Sequence, residues 1–291
     1  MEFGVTFPQT DIEPHPEDLR RFAIALEETG FEHLLAYDHI LGVEPPEPEW
    51  GGAYDYTDQF LEPFVLFSHL ASVTADLDFI TGILVLPQRE TALVAKQAAT
   101  LDVLSGGRFT LGAGVGWNER EYRNLGKEFQ TRGKRIDEQI DLLGDLWGTE
   151  LVDFDGEWHD IHRAGINPRP SDGTVPLWLG GSADVVIERM ARKADGWIAP
   201  TLPIPSFEEK IQTLHDSLDE AGRNPASFPI HARIHLGSAD GDEWIERIEA
   251  YESLGVTHVG IGTMNMGLTA GHEHLAILTE AMNELEDRGY D

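Results

Sequence analysis

The segment LSGGRFTLGAGVGW (residues 104–117) combines a helix end, a glycine turn, a short apolar strand and a second glycine-rich turn. Asn118 and Glu121 follow it with the spacing of a helix N-cap and its capping-box partner. A strand that runs through glycines into a helix N-terminus leaves unhindered N–H groups at the positive end of a helix dipole. We therefore predict a βα unit. Its turn either binds an anionic or electron-rich cofactor or uses glycine only for its positive φ.

The rest of the chain repeats this alternation of short apolar strands and amphipathic helices. Strands buried on both faces indicate a parallel sheet, and eight βα units predict a closed (β/α)8 TIM barrel with its active site at the C-terminal strand ends. A length of 291 residues fits one such barrel, so residues 1–291 are predicted to form a single domain. The predicted strands are 3–7, 33–37, 78–87, 108–115, 176–181, 195–200, 229–236 and 257–262.

An open doubly wound α/β sheet is the alternative architecture. Such sheets bind dinucleotides at a Gly-x-Gly-x-x-Gly turn after a strand. Here Gly112, Gly114 and Gly116 lie in mid-chain and have the wrong third spacing for that turn. The barrel is therefore the favoured prediction.

Two stretches interrupt the βα period. Residues 41–60 are rich in Pro and Gly and too long for a plain βα loop, so an extended loop after strand 2 is predicted to cover or line the pocket. Its aromatic residues Trp50, Tyr54 and Tyr56 could pack on a bound ring. Residues 150–167 contain FDGEW, an Asp-Gly hairpin signal, which predicts a hairpin insertion between units 4 and 5.

The chain is strongly acidic, with 52 Asp and Glu against 21 Lys and Arg and a formal net charge of −31. The carboxylates are spread over most predicted helices, and only five of the basic residues are Lys. Dispersed acid of this kind indicates a halophilic protein, because multimolar salt shortens the Debye length to about 3 Å or less and screens self-repulsion. An ordinary acidic protein is the alternative. Nucleic acid is excluded as an expected partner, since binding it requires a basic face.

Cysteine is absent, which excludes disulfides, thiolate nucleophiles and cysteine–metal sites. No apolar run approaches the roughly 18–20 residues of a membrane span. The chain begins directly in a strand, so a cytoplasmic protein without a membrane partner is expected. The histidines in His159-x-x-His162 and His272-Glu273-His274 are interpreted as solvated surface, and no metal is expected.

Acid–base residues follow predicted strands at the catalytic face of the barrel. Asp38 and His39 come directly after strand 2, where a histidine can transfer a proton and a carboxylate can orient it, although the two could equally serve separate purposes. His231, Arg233 and His235 alternate along strand 7 and share one face. If that face points into the barrel mouth, Arg233 or His235 could bind a substrate or an anion.

Glycines at two further strand ends have both a structural and a functional interpretation. Gly82 follows Thr81 inside the predicted strand 78–87, where a glycine marks either close packing or a bulge beside a ligand. Gly180 and Gly181 precede Ser182, a predicted helix N-cap, and could bind a phosphate through backbone N–H groups.

Together, five segments of the chain resemble the luciferase-like monooxygenase superfamily, and more closely its oxidoreductases that use the deazaflavin coenzyme F420. The ATLD-LSGGR-LG-G-GW pattern is the specific part, and the resemblance is good over residues 1–200 and looser beyond. The segments are LAYDHIL (35–41), TGILVLP (81–87), VAKQAATLDVLSGGRFTLGAGVGWNEREY (94–122), NPRP (167–170) and PLWLGGSADVVIERMARKADGWIAP (176–200).

The resemblance implies a homodimer of barrels in which hydride passes between deazaflavin and a small-molecule substrate. It implies a cis peptide between Gly82 and Ile83 behind the ring, and it makes His39, beside Asp38, the candidate proton donor or acceptor. The implied cofactor contacts are Asp38, Thr81, Gly82, Ile83, Gly114, Val115, Gly116 and Trp117, with Gly180, Gly181 and Ser182 at the phosphate. The predicted substrate pocket contains Trp50, Tyr54, Arg233 and His235, and candidate counter-charges to the anionic cofactor are Arg89, Lys96, Arg108 and Arg169.

Three alternative functions stay open at this point. A monooxygenase of the same superfamily would use flavin mononucleotide (FMN) supplied by a reductase, together with O₂. A non-catalytic F420- or flavin-binding protein would bind the cofactor without turnover. A metal-dependent barrel hydrolase would require a bound zinc or iron ion.

We expect folding and activity to depend on high KCl, because dilution of salt exposes the mutual repulsion of the carboxylates. Circular dichroism at decreasing KCl concentration measures this dependence. Full stability in dilute buffer would contradict the halophilic interpretation.

Overall fold

Eight parallel strands close into a barrel in the computed structural model, which describes residues 1–45, 52–238 and 242–290. The strands in chain order are β1 (Glu2–Thr6), β2 (His33–Ala36), β3 (Asp78–Thr81), β4 (Leu84–Val85), β5 (Phe109–Gly114), β6 (Val152–Asp155), β7 (Asp160–Ala164), β8 (Leu177–Gly180), β9 (Gly196–Ile198), β10 (Ile230–His235) and β11 (His258–Gly262). The short β3 and β4 are two parts of one barrel strand, separated by Gly82 and Ile83.

The barrel order is β1, β2, β3 with β4, β5, β8, β9, β10 and β11, and β11 pairs again with β1. Closure on the other side comes from β3, which pairs with β2 and, through Phe79 and Ile80, with β5. All of these pairings are parallel. The predicted (β/α)8 barrel is therefore confirmed, and the open sheet is excluded.

Helices surround the barrel and present their apolar faces to it, as the sequence period predicts. In α1, for example, Leu19, Phe22 and Leu26 are buried against the sheet. The helices are α1 (Pro16–Glu28), α2 (Pro63–Ala71), α3 (Thr91–Ser105), α4 (Glu119–Asn124), α5 (Arg132–Gly148), α6 (Asp184–Lys193), α7 (Ile204–Glu220), α8 (Glu243–Ser253) and α9 (Gly271–Asp287). Short 3₁₀ turns span Leu86–Gln88, Pro225–Ser227 and Leu236–Ser238.

Strands β6 and β7 form an antiparallel hairpin between α5 and β8, within the stretch that carries the Asp-Gly signal. The interpretation of His159 as solvated surface is wrong. Its ring is mostly buried, with Nδ1 2.7 Å from Glu138 Oε1 and Nε2 2.6 Å from Thr91 Oγ1, so it fastens the hairpin to α5 and α3. His162 is exposed, as expected.

The interpretation of His274 is also wrong. It lies in the first turn of α9 but is fully buried, and its Nδ1 is 2.8 Å from the hydroxyl of Thr263. The neighbouring His272 is exposed, as expected.

Two histidines occupy the interior of the barrel at the N-terminal ends of the strands. His33 of β2 and His231 of β10 are fully buried, and their Nε2 atoms are 3.0 Å apart. Neither Nδ1 atom has a hydrogen-bond partner in the described ranges. Burial, and secondarily the charge of His258, lowers the pKa of His33 to about 3, and burial lowers the pKa of His231 well below its usual value. Both rings are therefore neutral in the folded protein at neutral pH.

This pair predicts a loss of stability as the pH falls below about 6.5. The unfolded histidines bind protons there while the folded ones do not, so the free energy of unfolding drops by about 3 kcal/mol between pH 6.5 and 5. Urea denaturation across this range, at constant high KCl, measures the slope. The variant His231→Gln should have a smaller slope than the parent, and His162→Gln, at an exposed histidine, should keep the slope of the parent. Equal slopes in the parent and His231→Gln would contradict the assignment.

Candidate active site

A cavity of about 330 Å³ opens at the C-terminal ends of the barrel strands, where the sequence predicts the site. The predicted residues that line it are Asp38, His39, Tyr54, Gly82, Ile83, Gly116, Trp117, Arg233 and His235. The cavity is also lined by residues that the sequence pattern does not predict there, namely Tyr37, Val85, Gln88, Asn118, Glu121 and Thr201. Trp50 lies outside the described residues.

The peptide between Gly82 and Ile83 is cis, which confirms the expectation from the resemblance. It lies between β3 and β4 and directs the side chain of Ile83 onto the ends of β5 and β8. A Cβ at Gly114 would lie 2.8 Å from Ile83 Cδ1, and one at Gly180 would lie 2.6 Å from Ile83 Cγ2. These two glycines therefore make room for Ile83, a structural reason for glycine beside the predicted cofactor contact.

Asp38 binds the chain that follows the cis peptide. Its carboxylate accepts hydrogen bonds from the Val85 N–H at 3.0 Å and from Arg89 Nη2 at 2.7 Å and Nε at 3.3 Å. The side chain of Asp38 is 1% exposed, so this ion pair is buried. Arg89 also donates to Glu62 at 2.9 Å, and Glu62 caps α2 through the Val65 N–H. Both carboxylate oxygens of Asp38 thus hold the frame of the site.

The other candidate counter-charges lie away from this cavity and donate to backbone carbonyls. Lys96 donates to the carbonyl of Asn167, Arg169 to that of Gly148, and Arg108 to several, including that of Leu77. Thr81 is fully buried. Its hydroxyl donates to the Gly112 carbonyl at 2.7 Å, which connects β3 to β5.

His39 is oriented by a buried carboxylate from α4. Its Nδ1 is 3.1 Å from Glu121 Oε2, while Glu121 Oε1 accepts the N–H groups of Ile40 at 2.7 Å and Leu41 at 3.0 Å. Burial raises the pKa of Glu121, but the hydrogen bonds from His39 and these N–H groups outweigh it, and the net pKa is lowered. An ionised carboxylate only accepts hydrogen bonds, so Nδ1 of His39 carries the proton and Nε2 is the basic nitrogen of a ring that lines the cavity.

The prediction that Glu121 completes a capping box is therefore wrong, although the cap itself forms. Asn118 accepts the Glu121 N–H at 3.2 Å, but the Glu121 carboxylate binds the loop after β2 instead of the Asn118 backbone. The prediction that Ser182 is the N-cap of the next helix is wrong by one residue. Ala183 holds that position and gives no side-chain cap.

Aromatic rings surround His39. Its centroid lies 4.8 Å from that of Phe60, 5.6 Å from Tyr54 and 5.9 Å from Trp117, all edge-on. Burial, and then the neighbouring Tyr37, raises the pKa of Tyr54 to about 12, so its phenol is neutral and can donate a hydrogen bond. The loop after β2 thus contributes an apolar wall with one hydroxyl.

Arg233 and His235 extend from β10 into the cavity, as the period-two pattern predicts. Arg233 Nη1 donates to the Tyr37 hydroxyl at 3.1 Å, and its guanidinium carbon lies 5.4 Å from the centre of the Tyr37 ring. Burial, and then the charge of Arg233, lowers the pKa of His235. This wall therefore combines a cation with a neutral imidazole.

Gln88 lines the cavity with a buried amide that has no partner among the described residues. It is 4% exposed, and neither its amide nitrogen nor its amide oxygen has a hydrogen-bond partner in the described part of the chain. A buried amide without partners costs free energy unless a ligand or water satisfies it. A flavin or deazaflavin ring, whose pyrimidine edge carries N–H and C=O groups, has donors and acceptors that match.

The loop of Gly180, Gly181 and Ser182 leads from β8 to α6, next to Ile83. Gly181 has a φ of +127°, and its carbonyl accepts the indole N–H of Trp197 at 2.8 Å. The loop ends at the N-terminus of a ten-residue helix, a position that suits an anion through backbone N–H groups. Gly114 ends β5 near this loop and Val115 follows it, and neither is among the residues that line the cavity.

Within the described ranges, no cluster of three or more His, Cys, Asp or Glu residues is arranged to hold a metal ion. The described helices include none that is long and apolar enough to cross a membrane.

Comparison with known proteins gives one family and several relatives. The family model described as luciferase-like monooxygenase matches residues 1–259. An uncharacterised protein of Mycobacterium tuberculosis is 36% identical over 246 residues, which cover 82% of this chain and 83% of that protein. The pyrimidine monooxygenase RutA of Klebsiella pneumoniae is 31% identical over 195 residues, which cover 62% of this chain and 52% of that protein.

Solved structures similar to this barrel include an F420-dependent dehydrogenase and a monooxygenase. An F420-dependent secondary alcohol dehydrogenase has a TM-score of 0.77 and 18% identity, covering 96% of this chain and 97% of its own. Monooxygenase RslO1 of Streptomyces bottropensis has a TM-score of 0.76 and 18% identity, covering 96% and 98%. At these identities the similarity shows the fold alone.

The buried pair of Asp38 and Arg89 predicts a large loss of stability in Asp38→Asn. The change removes the negative charge of Asp38 and leaves the guanidinium of Arg89 buried without its closest counter-charge. This lowers the free energy of unfolding by about 3 kcal/mol. Glu62→Gln is the matched control, because Glu62 is 35% exposed and its ion pair contributes less than about 1 kcal/mol. Urea denaturation of both variants tests the difference. Equal losses would show that Asp38 does not hold the frame.

Proposed function

We propose that this chain, which belongs to the luciferase-like monooxygenase family, is an oxidoreductase. In this proposal it transfers a hydride between coenzyme F420 and a small organic substrate. The observation that carries this proposal is the arrangement of His39. Glu121 binds its Nδ1, which leaves Nε2 as the basic nitrogen, and the ring lines the same cavity as Gly82 and Ile83 of the cis peptide. Such a site suits a planar cofactor on one side and a proton-transferring imidazole above it.

In this proposal the chain holds the cofactor with residues between β3 and β4 and in the segments that follow β4 and β8. Ile83 supports one face of the ring, Gln88 satisfies its pyrimidine edge, and the N–H groups around Gly181 and Ser182 bind the phosphate. Asp38 acts as a positioning residue, since its oxygens bind Arg89 and the Val85 N–H. When bound, a deazaflavin supplies two-electron hydride transfer without oxygen activation.

His39 moves the proton that accompanies the hydride. Removing a hydride from a substrate carbon leaves positive charge, which is balanced when an adjacent oxygen or nitrogen loses its proton. Nε2 of His39 accepts that proton, and Glu121 stabilises the imidazolium that results, because its carboxylate is already hydrogen-bonded to Nδ1. In the reverse direction the same atom donates the proton.

The polarity of the cavity supports this chemistry over oxygen activation. Asp38, Glu121 and Arg233 line it together with His39 and His235. Enzymes that activate oxygen must protect reactive intermediates from water, which favours a closed apolar pocket.

The second candidate is an FMN-dependent monooxygenase. It is supported by the similarity to pyrimidine monooxygenase RutA, a family relative with 31% identity.

Cofactor titration separates these candidates. We expect quenching of F420 fluorescence with a Kd at least tenfold below that for FMN, measured at high KCl. Tight FMN binding without F420 binding would overturn the proposal in favour of the monooxygenase. Saturable F420 binding with no change in cofactor absorbance across a panel of alcohols, aldehydes, ketones and imines would indicate the non-catalytic alternative.

The variant His39→Ala should bind F420 with a Kd within twofold of the parent and turn over at least 100-fold more slowly, because general acid–base catalysis contributes about 10²–10⁴-fold. Stopped-flow absorbance of the cofactor, with a panel compound that the parent converts, measures the rate. Added imidazole should restore part of it. His162→Ala, at an exposed histidine, is the control. Unchanged turnover would remove His39 from the mechanism.

A further inference from the structure

Arg233 lies across the barrel from the cis peptide. In the closed order of strands, β10 is four positions away from β3 and β4 in either direction, so the two are diametrically opposite. A ring supported on one face by Ile83 therefore turns its other face toward β10. Arg233 and His235 accordingly border the space for the substrate rather than the space behind the cofactor.

The guanidinium of Arg233 has unused hydrogen-bond donors. Nη1 donates to the Tyr37 hydroxyl at 3.1 Å, and Nη2 donates to the Ala199 carbonyl at a long 3.4 Å. Each terminal nitrogen carries two N–H groups, so one on each has no acceptor within the described ranges. Nε is buried and also lacks an acceptor there.

Arg233 also lacks a counter-charge. Over the described residues, no carboxylate lies within 4.0 Å of it, whereas the similarly buried Arg89 pairs with Asp38 and Arg189 pairs with Asp137. Arg108 has no carboxylate partner either, but it donates five hydrogen bonds to protein oxygens. A half-buried cation with two neutral acceptors, in a chain of net charge −31, is costly to desolvate unless an anion completes it.

We propose that the substrate carries a carboxylate, which binds the guanidinium of Arg233 beside Tyr37. A guanidinium binds carboxylates with two parallel N–H···O bonds, and its two free terminal N–H groups can supply them. Among the described residues, the other formal charges on the cavity lining are Asp38, which pairs with Arg89, and Glu121. The single positive charge of Arg233, in a cavity that also contains the carboxylate of Glu121, suits a monoanion better than a doubly charged phosphate. This inference rests on the proposed function, since the cofactor defines the opposite wall.

The test compares carboxylates with their neutral amides. Acetate, butyrate and benzoate, each paired with acetamide, butyramide or benzamide, are titrated into the F420-loaded protein at fixed chloride concentration. Cofactor absorbance and calorimetry report binding. In the parent, at least one carboxylate should bind tenfold or more tightly than its amide. In Arg233→Gln the preference should disappear and the Kd for F420 should stay within twofold. Arg233→Lys should keep part of the preference.

Arg192→Gln is the matched control, because it removes the same charge from an exposed position on α6 and should keep the full preference. Equal affinity for acids and amides in the parent, a preference that survives Arg233→Gln, or no carboxylate binding at all would overturn the inference. A tenfold loss of F420 affinity in Arg233→Gln with no change in preference would assign Arg233 to the cofactor instead. The same titration without cofactor separates the two proposals. A carboxylate preference in a protein that binds no F420 would support the anion site and overturn the proposed cofactor.

Discussion

The carboxylate of Asp38 is the contact on which the rest of the site depends. It joins the end of β2 to the Val85 N–H beyond the cis peptide and to Arg89 before α3. Arg89 extends the connection to Glu62, which caps α2. One buried ion pair thus fixes the relative positions of three loops. These loops flank Ile83, which packs against Gly114 and Gly180. Removing either charge leaves the other buried, which makes the pair hard to replace singly.

Other inward-facing carboxylates hold loops by the same means. Glu121 accepts the N–H groups of Ile40 and Leu41, Glu27 accepts three consecutive N–H groups after α2, and Glu138 accepts two in the β6–β7 hairpin. Hydrogen bonds at short range are far less sensitive to salt than interactions between distant surface charges. The acidic composition therefore serves two purposes, a charged surface and anchors for the loops at both ends of the barrel.

The sequence predicts those features that depend on period and strand position. Alternating apolar segments predict all eight barrel strands, and Asp38, His39, Arg233 and His235 reach the cavity because they end or follow strands. The partners of these residues were not predictable, since they come from distant elements. Glu121 has capping-box spacing, but the N–H groups of Ile40 and Leu41, about 80 positions earlier, compete successfully for its carboxylate. His159 and His274 are buried by long-range packing that no local pattern reports. The unpaired amide of Gln88 is visible only once its surroundings are known.

The opposite placement of β10 and the β3–β4 strand divides the labour of the site along the chain. Elements before residue 200 supply the cis peptide, the glycine turns and His39, whereas Arg233 and His235 come from the seventh barrel strand. In the proposed site, substitutions after residue 200 would therefore change which substrates bind and leave the residues proposed for proton transfer and cofactor binding unchanged. A barrel built in this way can change its substrate in evolution through substitutions in one strand and its flanking loops.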